Sequence, residues 1–287
     1  MKKSVNGWMV GGFGGEVPLA EAAKTAKDLG YDAIEPCFGA GELAPDASDA
    51  ALAKLRTGIE KAGIEIASLA TGYYWGKSLS STDESERGEA VAFTEAYLKA
   101  ARVLGVDAVL VVPGSVDVAW DPARPVVPVK QAYAQSQRSI QALMPLAEQL
   151  GVTISVENVW SKFLTGPFEY AAFIDSFQSP YVKAYFDVGN CLINGYSEHW
   201  IEVLGSRIKR VHVKNFRRRE GGGTLADFTT SLLDGDANWP AIFSALKTIG
   251  YDGYLTAEVI VGETGMPNAE QSGRVCGEMK QLIAQYG

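Results

Sequence analysis

The sequence predicts a (β/α)8 TIM barrel, a single α/β domain running from residue 1 to residue 287. Three observations predict it. Helix-like runs end repeatedly in a small or aliphatic residue plus glycine, and a strand-like run follows at once. Eight strand candidates alternate with helical segments along the chain, which implies parallel pairing. Four residues of metal-ligand type, Glu157, Asp187, His212 and Glu258, each close one of the last four strand candidates. The carboxyl ends of the strands are where such barrels carry their sites.

The strand candidates are 5–10, 33–38, 64–71, 108–113, 152–159, 183–189, 208–215 and 254–260. The first runs into Gly11-Gly12-Phe13-Gly14-Gly15. A doubly wound sheet, the competing architecture, expects a phosphate-binding glycine fingerprint here. These glycines lack the GxGxxG spacing and an acidic residue at a ribose position, so they read as a flexible loop at the barrel mouth. The helix stops fall at Gly30, Gly63, Gly105, Gly151, Gly205 and Gly250, where glycine takes the left-handed conformation cheaply. Ala92, Ala96, Leu98 and Ala101 help line one face of the run before Gly105. Ile140, Leu143, Ala147 and Leu150 line the next, where Pro145 predicts a kink. No linker-like segment divides the chain.

Composition bounds the function. With 47% apolar and 21% charged residues the chain is an ordinary globular protein. A net charge of -8 and a pI near 5.0 argue against nucleic acid or an anionic membrane as partner, since both select a basic surface. No apolar run is long enough for a membrane span or a secretory signal. Cys37, Cys191 and Cys276 are odd in number and lack CxxC spacing, so they read as buried thiols of a cytoplasmic protein.

Side chains alternate across a strand. Val152, Ile154 and Val156 therefore share one face, and Thr153, Ser155 and Glu157 the other. Ala184, Phe186 and Val188 oppose Asp187; Val211 and Val213 oppose His212; Leu255, Ala257 and Val259 oppose Glu258. With the apolar faces against helices, three carboxylates and one imidazole converge inside one mouth. A single strand-end glutamate is ordinarily a salt-bridge partner, and a lone strand histidine a satisfied core residue. Four together without a cation would suffer mutual repulsion and desolvation. The set therefore predicts one divalent metal. Three oxygen donors, one nitrogen and no thiolate suit Mn²⁺ first, with Co²⁺, Mg²⁺ and catalytic Zn²⁺ as alternatives. Lys214 points inward by parity, as a substrate contact or as a partner for the carboxylates. Glu35 closes the second strand on the inner face, placed to orient a ligand or a hydroxyl. Tyr73, Tyr74, Trp75 and Trp160 follow strands three and five, where rings can stack on a sugar face or simply pack loops.

The segments ENVW, YFDVGN, HVKNF and AE-V, with the helix entry GDANWPAIFSAL, resemble the xylose-isomerase-like barrels. Within them the likeness is strongest to ketose 3-epimerases and sugar-phosphate isomerase/epimerases. It spans the chain and is densest from 151 to 260. The resemblance implies a small-molecule partner, a sugar or sugar phosphate, and homo-oligomerisation is common in the family. It implies that Glu157, Asp187, His212 and Glu258 bind one divalent metal and that Glu157 and Glu258 exchange substrate protons. Such a pair can invert a carbon beside a carbonyl, or isomerise an aldose and a ketose, through a cis-enediolate. The metal would act as a Lewis acid on the developing negative charge. Arg218, within Arg217-Arg218-Arg219, falls at the family's substrate-contacting arginine, suited to grip a phosphate or carboxylate. Two positions depart from the free-ketose epimerases. Asn190 stands where they commonly carry a histidine, and Phe163 where they carry a second glutamate. An amide can still bond a sugar hydroxyl but carries no charge.

Two other functions compete. A lyase or dehydratase could use the same enolisation, for example β-elimination from a 3-keto-glycoside. A non-catalytic sugar-binding barrel could keep the metal alone. A three-zinc endonuclease of the same superfamily needs a histidine-rich site, and this chain has only His199 and His212.

Overall fold

The computed structural model describes residues 1–118, 120–259 and 268–287. Its strands are β1 (Lys2–Asn6), β2 (Ala33–Glu35), β3 (Glu65–Ile66), β4 (Ala108–Val111), β5 (Thr153–Glu157), β6 (Val182–Asp187), β7 (Ile208–Val213), β8 (Asn215–Phe216), β9 (Phe228–Thr229) and β10 (Tyr254–Ala257). Eight of them form one parallel sheet in the order β3-β2-β1-β10-β7-β6-β5-β4. Just beyond β3, Leu69 bridges to Val109 in parallel, with Leu110 N–H donating to Leu69 O at 2.9 Å, which closes the barrel. The remaining two, β8 and β9, form an antiparallel pair in the connection after β7.

A short turn, α1 (Trp8–Gly11), is followed by seven crossover helices: α2 (Leu19–Asp28), α3 (Asp49–Lys61), α4 (Glu84–Leu104), α5 (Val129–Leu150), α6 (Pro167–Asp175), α7 (Ser197–Leu204) and α8 (Trp239–Thr248). A last helix, α9 (Ala269–Tyr286), packs back against α1 and β1. Side-chain caps start several of them: Ser48 accepts from Ala51 N–H, Asp83 from Ser85 and Glu86, and Asn268 from Gln271. All six predicted glycine stops have positive φ, for example 79° at Gly105 and 67° at Gly151. The α5 helix runs on through Pro145.

The first strand lies earlier than predicted, at 2–6 rather than 5–10. Gly7 turns the chain into α1, its N–H donating to Glu35 O at 2.8 Å, and a Cβ there would meet Glu35 O at 3.1 Å. Lys2 and Lys3 fit a strand because Glu65 and Asp32 pair with their ammonium groups at 2.7 and 2.8 Å. Gly12 and Gly15 hold positive φ in the loop that follows, and Phe13 from this loop reaches the mouth cavity. Residue 260 of the eighth predicted strand lies outside the described residues. Cys191 and Cys276 are buried thiols, whereas Cys37 is half-buried.

The predicted faces segregate as parity requires. Val5, Ile34, Val109, Ile154, Phe186, Val211 and Leu255 are buried in the core under the helices, each burial contributing roughly 1.5–3 kcal/mol. The inner face is polar on most strands: Asn6, Glu35, Ser68, Tyr185, Asp187 and His212 are all buried. Leu110 and Val112 supply an apolar stretch of the cavity wall beside β4. Buried polar groups are costly unless paired. Their concentration here marks where the fold gives up packing for a site.

Candidate metal centre

Strand register sets the centre. Asp187 pairs with His212 across β6 and β7, Glu157 with Tyr185 across β5 and β6, and Asn6 with Glu35 across β1 and β2. Glu258 follows β10 by one residue, its N–H donating to Val213 O at 3.1 Å. One ligand-type atom from each of Glu157, Asp187, His212 and Glu258 lies within 4.8 Å of the others.

The imidazole is the pivot. His212 Nε2 lies 2.7 Å from Glu35 Oε2. On the other side Nδ1 faces Glu258 Oε2 at 3.4 Å, Glu157 Oε1 at 3.5 Å and Asp187 Oδ2 at 3.8 Å. Yet Nδ1 is buried with no hydrogen-bond partner, and so is Asp187 Oδ2. A ring nitrogen without a hydrogen bond, facing three converging carboxylates, fits a divalent cation. The donor set, three oxygens and one nitrogen, agrees.

Glu35, expected to orient a ligand or a hydroxyl, meets His212. It is fully buried, and its carboxylate accepts from Ser68 Oγ at 2.6 Å, Asn6 Nδ2 at 2.9 Å and the Tyr185 hydroxyl, besides His212. Carboxylates behind metal-ligating histidines fix tautomer and ring orientation in this way. Burial alone would raise the pKa of Glu35, but His212, Ser68 and Tyr185 outweigh it and hold the group below the ordinary carboxylate value. Asp187 is held through its peptide, with Asn158 Oδ1 accepting from its N–H at 2.8 Å and Asn158 Nδ2 donating to its carbonyl at 2.9 Å.

Lys214 Nζ donates to Glu258 Oε2 at 2.7 Å and lies 2.9 Å from Asp187 Oδ2. It is thus a partner for the carboxylates, and it also lines the mouth cavity. The charges are unevenly shared. Burial, with Glu258 and Asp187 adding repulsion, pushes Glu157 up to about 7 despite His212. Burial also raises Asp187 against the pull of Lys214. At Glu258 the balance reverses: burial is outweighed by Lys214 and His212, which hold it well below the carboxylate range. His212 is raised well above its ordinary value, burial being overcome by Tyr185, Glu258 and Glu35.

A cavity of about 400 Å³ opens over Glu157, Glu258 and Lys214. Trp75 and Trp160 line it as expected of mouth aromatics, joined by Trp8, Trp120 and Phe228, which sequence reasoning had not singled out. Trp75 meets Trp120 edge-on at 4.5 Å, and Trp160 tilts against Phe228 at 4.9 Å. Tyr73 and Tyr74 lie elsewhere. Tyr73 stacks on Phe93 at 3.7 Å, and the Tyr74 hydroxyl bonds Thr94 Oγ1 at 2.9 Å, so both secure α4. Asn190 lines the cavity, its Nδ2 donating to Asn158 O at 2.9 Å and its main-chain carbonyl accepting from Trp160 Nε1 at 2.8 Å.

Arg218 lies outside the lining of the mouth cavity. Its guanidinium donates to Leu192 O at 2.9 Å and Gly195 O at 2.6 Å, and lies over the Tyr196 ring. It straps the loop after β6 rather than facing the cavity. Arg217 and Arg219 pair with Asp234 and Asp227. Phe163 is buried against Tyr133 and Phe173, so the glutamate position of the free-ketose epimerases is here core.

An eight-stranded parallel barrel with a polar cluster at its carboxyl end defines a class of fold. The family model described as xylose isomerase-like TIM barrel matches residues 23–280, and the chain belongs to that family. Among solved structures it is similar to a D-psicose 3-epimerase with D-tagatose from Clostridium cellulolyticum H10. The identity is 20% over 99% of both chains, with a TM-score of 0.81. It is similar to an L-ribulose 3-epimerase at 17% identity, over 99% of this chain and 95% of that one, with a TM-score of 0.78. The IOLI protein with a binding zinc atom superposes with a TM-score of 0.80, at 18% identity over 100% and 99% of the chains. Among the described residues, no helix is long and apolar enough to cross a membrane.

Proposed function

We propose that this protein is a divalent-metal-dependent isomerase or epimerase that moves a proton at the carbon beside the carbonyl of a sugar. One observation carries the reading. His212 Nδ1, pinned from behind by Glu35, points without a partner into a ring of three carboxylate oxygens at 3.4–3.8 Å. Similarity to proteins described as ketose 3-epimerases, and to one holding zinc, supports it.

Glu157, Asp187, His212 and Glu258 would hold the metal, which supplies Lewis acidity toward the substrate carbonyl and its neighbouring hydroxyl. Mn²⁺ is the first choice for this donor set. Glu157 and Glu258 rise from β5 and the end of β10, on opposite sides of the mouth. One takes the carbon-bound proton and the other returns a proton to the substrate. Lys214 lines the same cavity and offers an ammonium to the substrate oxygens. The aromatic walls exclude water from the enolised intermediate. Among the described residues no arginine lines the mouth cavity, and Arg218 is committed to backbone carbonyls, which favours an unphosphorylated sugar.

The test is NMR in D₂O with Mn²⁺-loaded protein and a panel of ketoses and keto-sugars. Deuterium should enter the carbon beside the carbonyl, and Glu258→Gln should lower the rate by at least about 100-fold, the usual worth of a general base. Wild-type exchange no faster than buffer, or full exchange by that variant, would overturn the reading.

A further inference from the structure

Trp75 and Trp120 belong to different connections, the one after β3 and the one after β4, yet they meet edge-on in the wall of the mouth cavity. Trp120 is exposed, so burial does little to keep it there. At their bases the two connections are fixed to each other. Ser80 Oγ accepts from Ser115 N–H at 2.9 Å and donates to Ser115 O at 3.0 Å.

Nearer the tryptophans the joint is ionic. Arg124 forks onto Glu86, Nη2 to Oε1 at 2.5 Å and Nη1 to Oε2 at 3.1 Å. The same Nη1 donates at 2.9 Å to the carbonyl of Gly76, the residue after Trp75. Glu86 Oε1 also accepts from Ser78 N–H at 3.0 Å. Glu86 is itself fixed in the first turn of α4, which Asp83 caps. Arg124 N–H donates to Asp121 O at 3.1 Å, so the turn next to Trp120 carries the guanidinium. The two side chains are only 20% and 15% exposed. A planar bidentate pair with so little solvent is held by geometry as well as charge, unlike an ion pair on open surface.

Resting on the proton-transfer reading above, we propose that Arg124 and Glu86 are positioning residues. Their fork clamps the connections after β3 and β4 together, so that Trp75 and Trp120 form one preset wall over the carboxylates. Neither residue lines the cavity, so both act through the tryptophans. The candidate metal ligands stand on or next to β5, β6, β7 and β10, outside the clamped connections. Opening the clamp therefore weakens sugar binding in ground state and transition state alike and spares the chemical step.

The test is Arg124→Ala in the Mn²⁺-loaded protein. Trp120→Phe serves to identify the exciton couplet that the Trp75–Trp120 pair gives in far-UV circular dichroism. Arg124→Ala should lose the couplet as fully as Trp120→Phe does. Its Mn²⁺ affinity should stay within about threefold of wild type, short of the loss that follows removal of a ligand's partner. With the sugar that exchanges fastest in the D₂O panel, KM should rise about tenfold or more and kcat fall less than about threefold. Arg124→Lys keeps the charge without the fork and should raise KM as well, a check that does not depend on the alanine variant folding. A wild-type spectrum without the couplet, a couplet that survives in Arg124→Ala, or an unchanged KM in either variant would overturn the proposal. If no sugar of the panel exchanges its proton, the proton-transfer reading fails instead, and the couplet alone decides the clamp.

Discussion

Glu35 and His212 form the buried hydrogen bond around which the candidate centre is arranged, Oε2 to Nε2 at 2.7 Å, with both side chains inaccessible to solvent. The two residues lie far apart in sequence, on β2 and β7. Their contact commits one imidazole nitrogen to protein and turns the other toward three carboxylates. A carboxylate behind the ring also makes the imidazole a better donor.

Glu35→Gln is therefore expected to weaken metal binding without emptying the barrel interior. The amide keeps the volume but removes the charge that supports His212. Loss of such a partner typically costs about 10–100-fold in metal affinity, measurable by competition against a chelating dye. Circular dichroism should show the fold retained.

The second strand shows how much of this was legible. Parity placed Glu35 on the inner face, and the same rule brought Glu157, Asp187, His212 and Glu258 to one mouth, because strand alternation is local and strict. Lys214 and Trp160 also lie on the cavity, as expected. What parity cannot give is height in the barrel. Glu35 does not line the cavity, and its carboxylate is spent on His212, Ser68, Asn6 and Tyr185. The direction of Arg218 was not legible for another reason. It lies in an irregular loop, and its direction depends on the carbonyls of Leu192 and Gly195, which have no sequence period. The first strand begins earlier than expected, at two lysines whose charges need partners. Their partners, Glu65 and Asp32, come from later in the chain.

Lys214 acts as an internal countercharge to Glu258 and Asp187. Removing one partner of a buried ion group costs roughly 3–5 kcal/mol. Lys214→Met should lower the stability of chelator-treated protein by about that amount in urea denaturation. Added Mn²⁺ should recover most of it, because the cation neutralises the same carboxylates.

The pH dependence of the metal-free protein has a defined sign. Glu157 is raised from 4.5 to about 7, and Asp187 and His212 are also raised. Between pH 5 and 8 the folded state thus binds more protons than the unfolded chain, so stability falls as pH rises. Melting of chelator-treated protein should show a lower Tm at pH 8 than at pH 5.5. Metal binding in the same window should release protons, read as a dependence of the calorimetric enthalpy on buffer ionisation.

Arg218→Ala should act on the loop rather than on substrate. It removes two hydrogen bonds to carbonyls and the contact with Tyr196, a loss of about 1–3 kcal/mol in stability. The KM for a turned-over sugar should change less than threefold, by the order of magnitude expected when no substrate contact is lost.

Anomalous diffraction from crystals grown with Mn²⁺ tests the centre most directly. The account predicts one peak bonded to His212 Nδ1 and to a carboxylate oxygen each of Glu157, Asp187 and Glu258, at about 2.0–2.3 Å. A peak on other residues, or a cluster that stays metal-free at saturating Mn²⁺ with Lys214 still bridging Glu258 and Asp187, would contradict it.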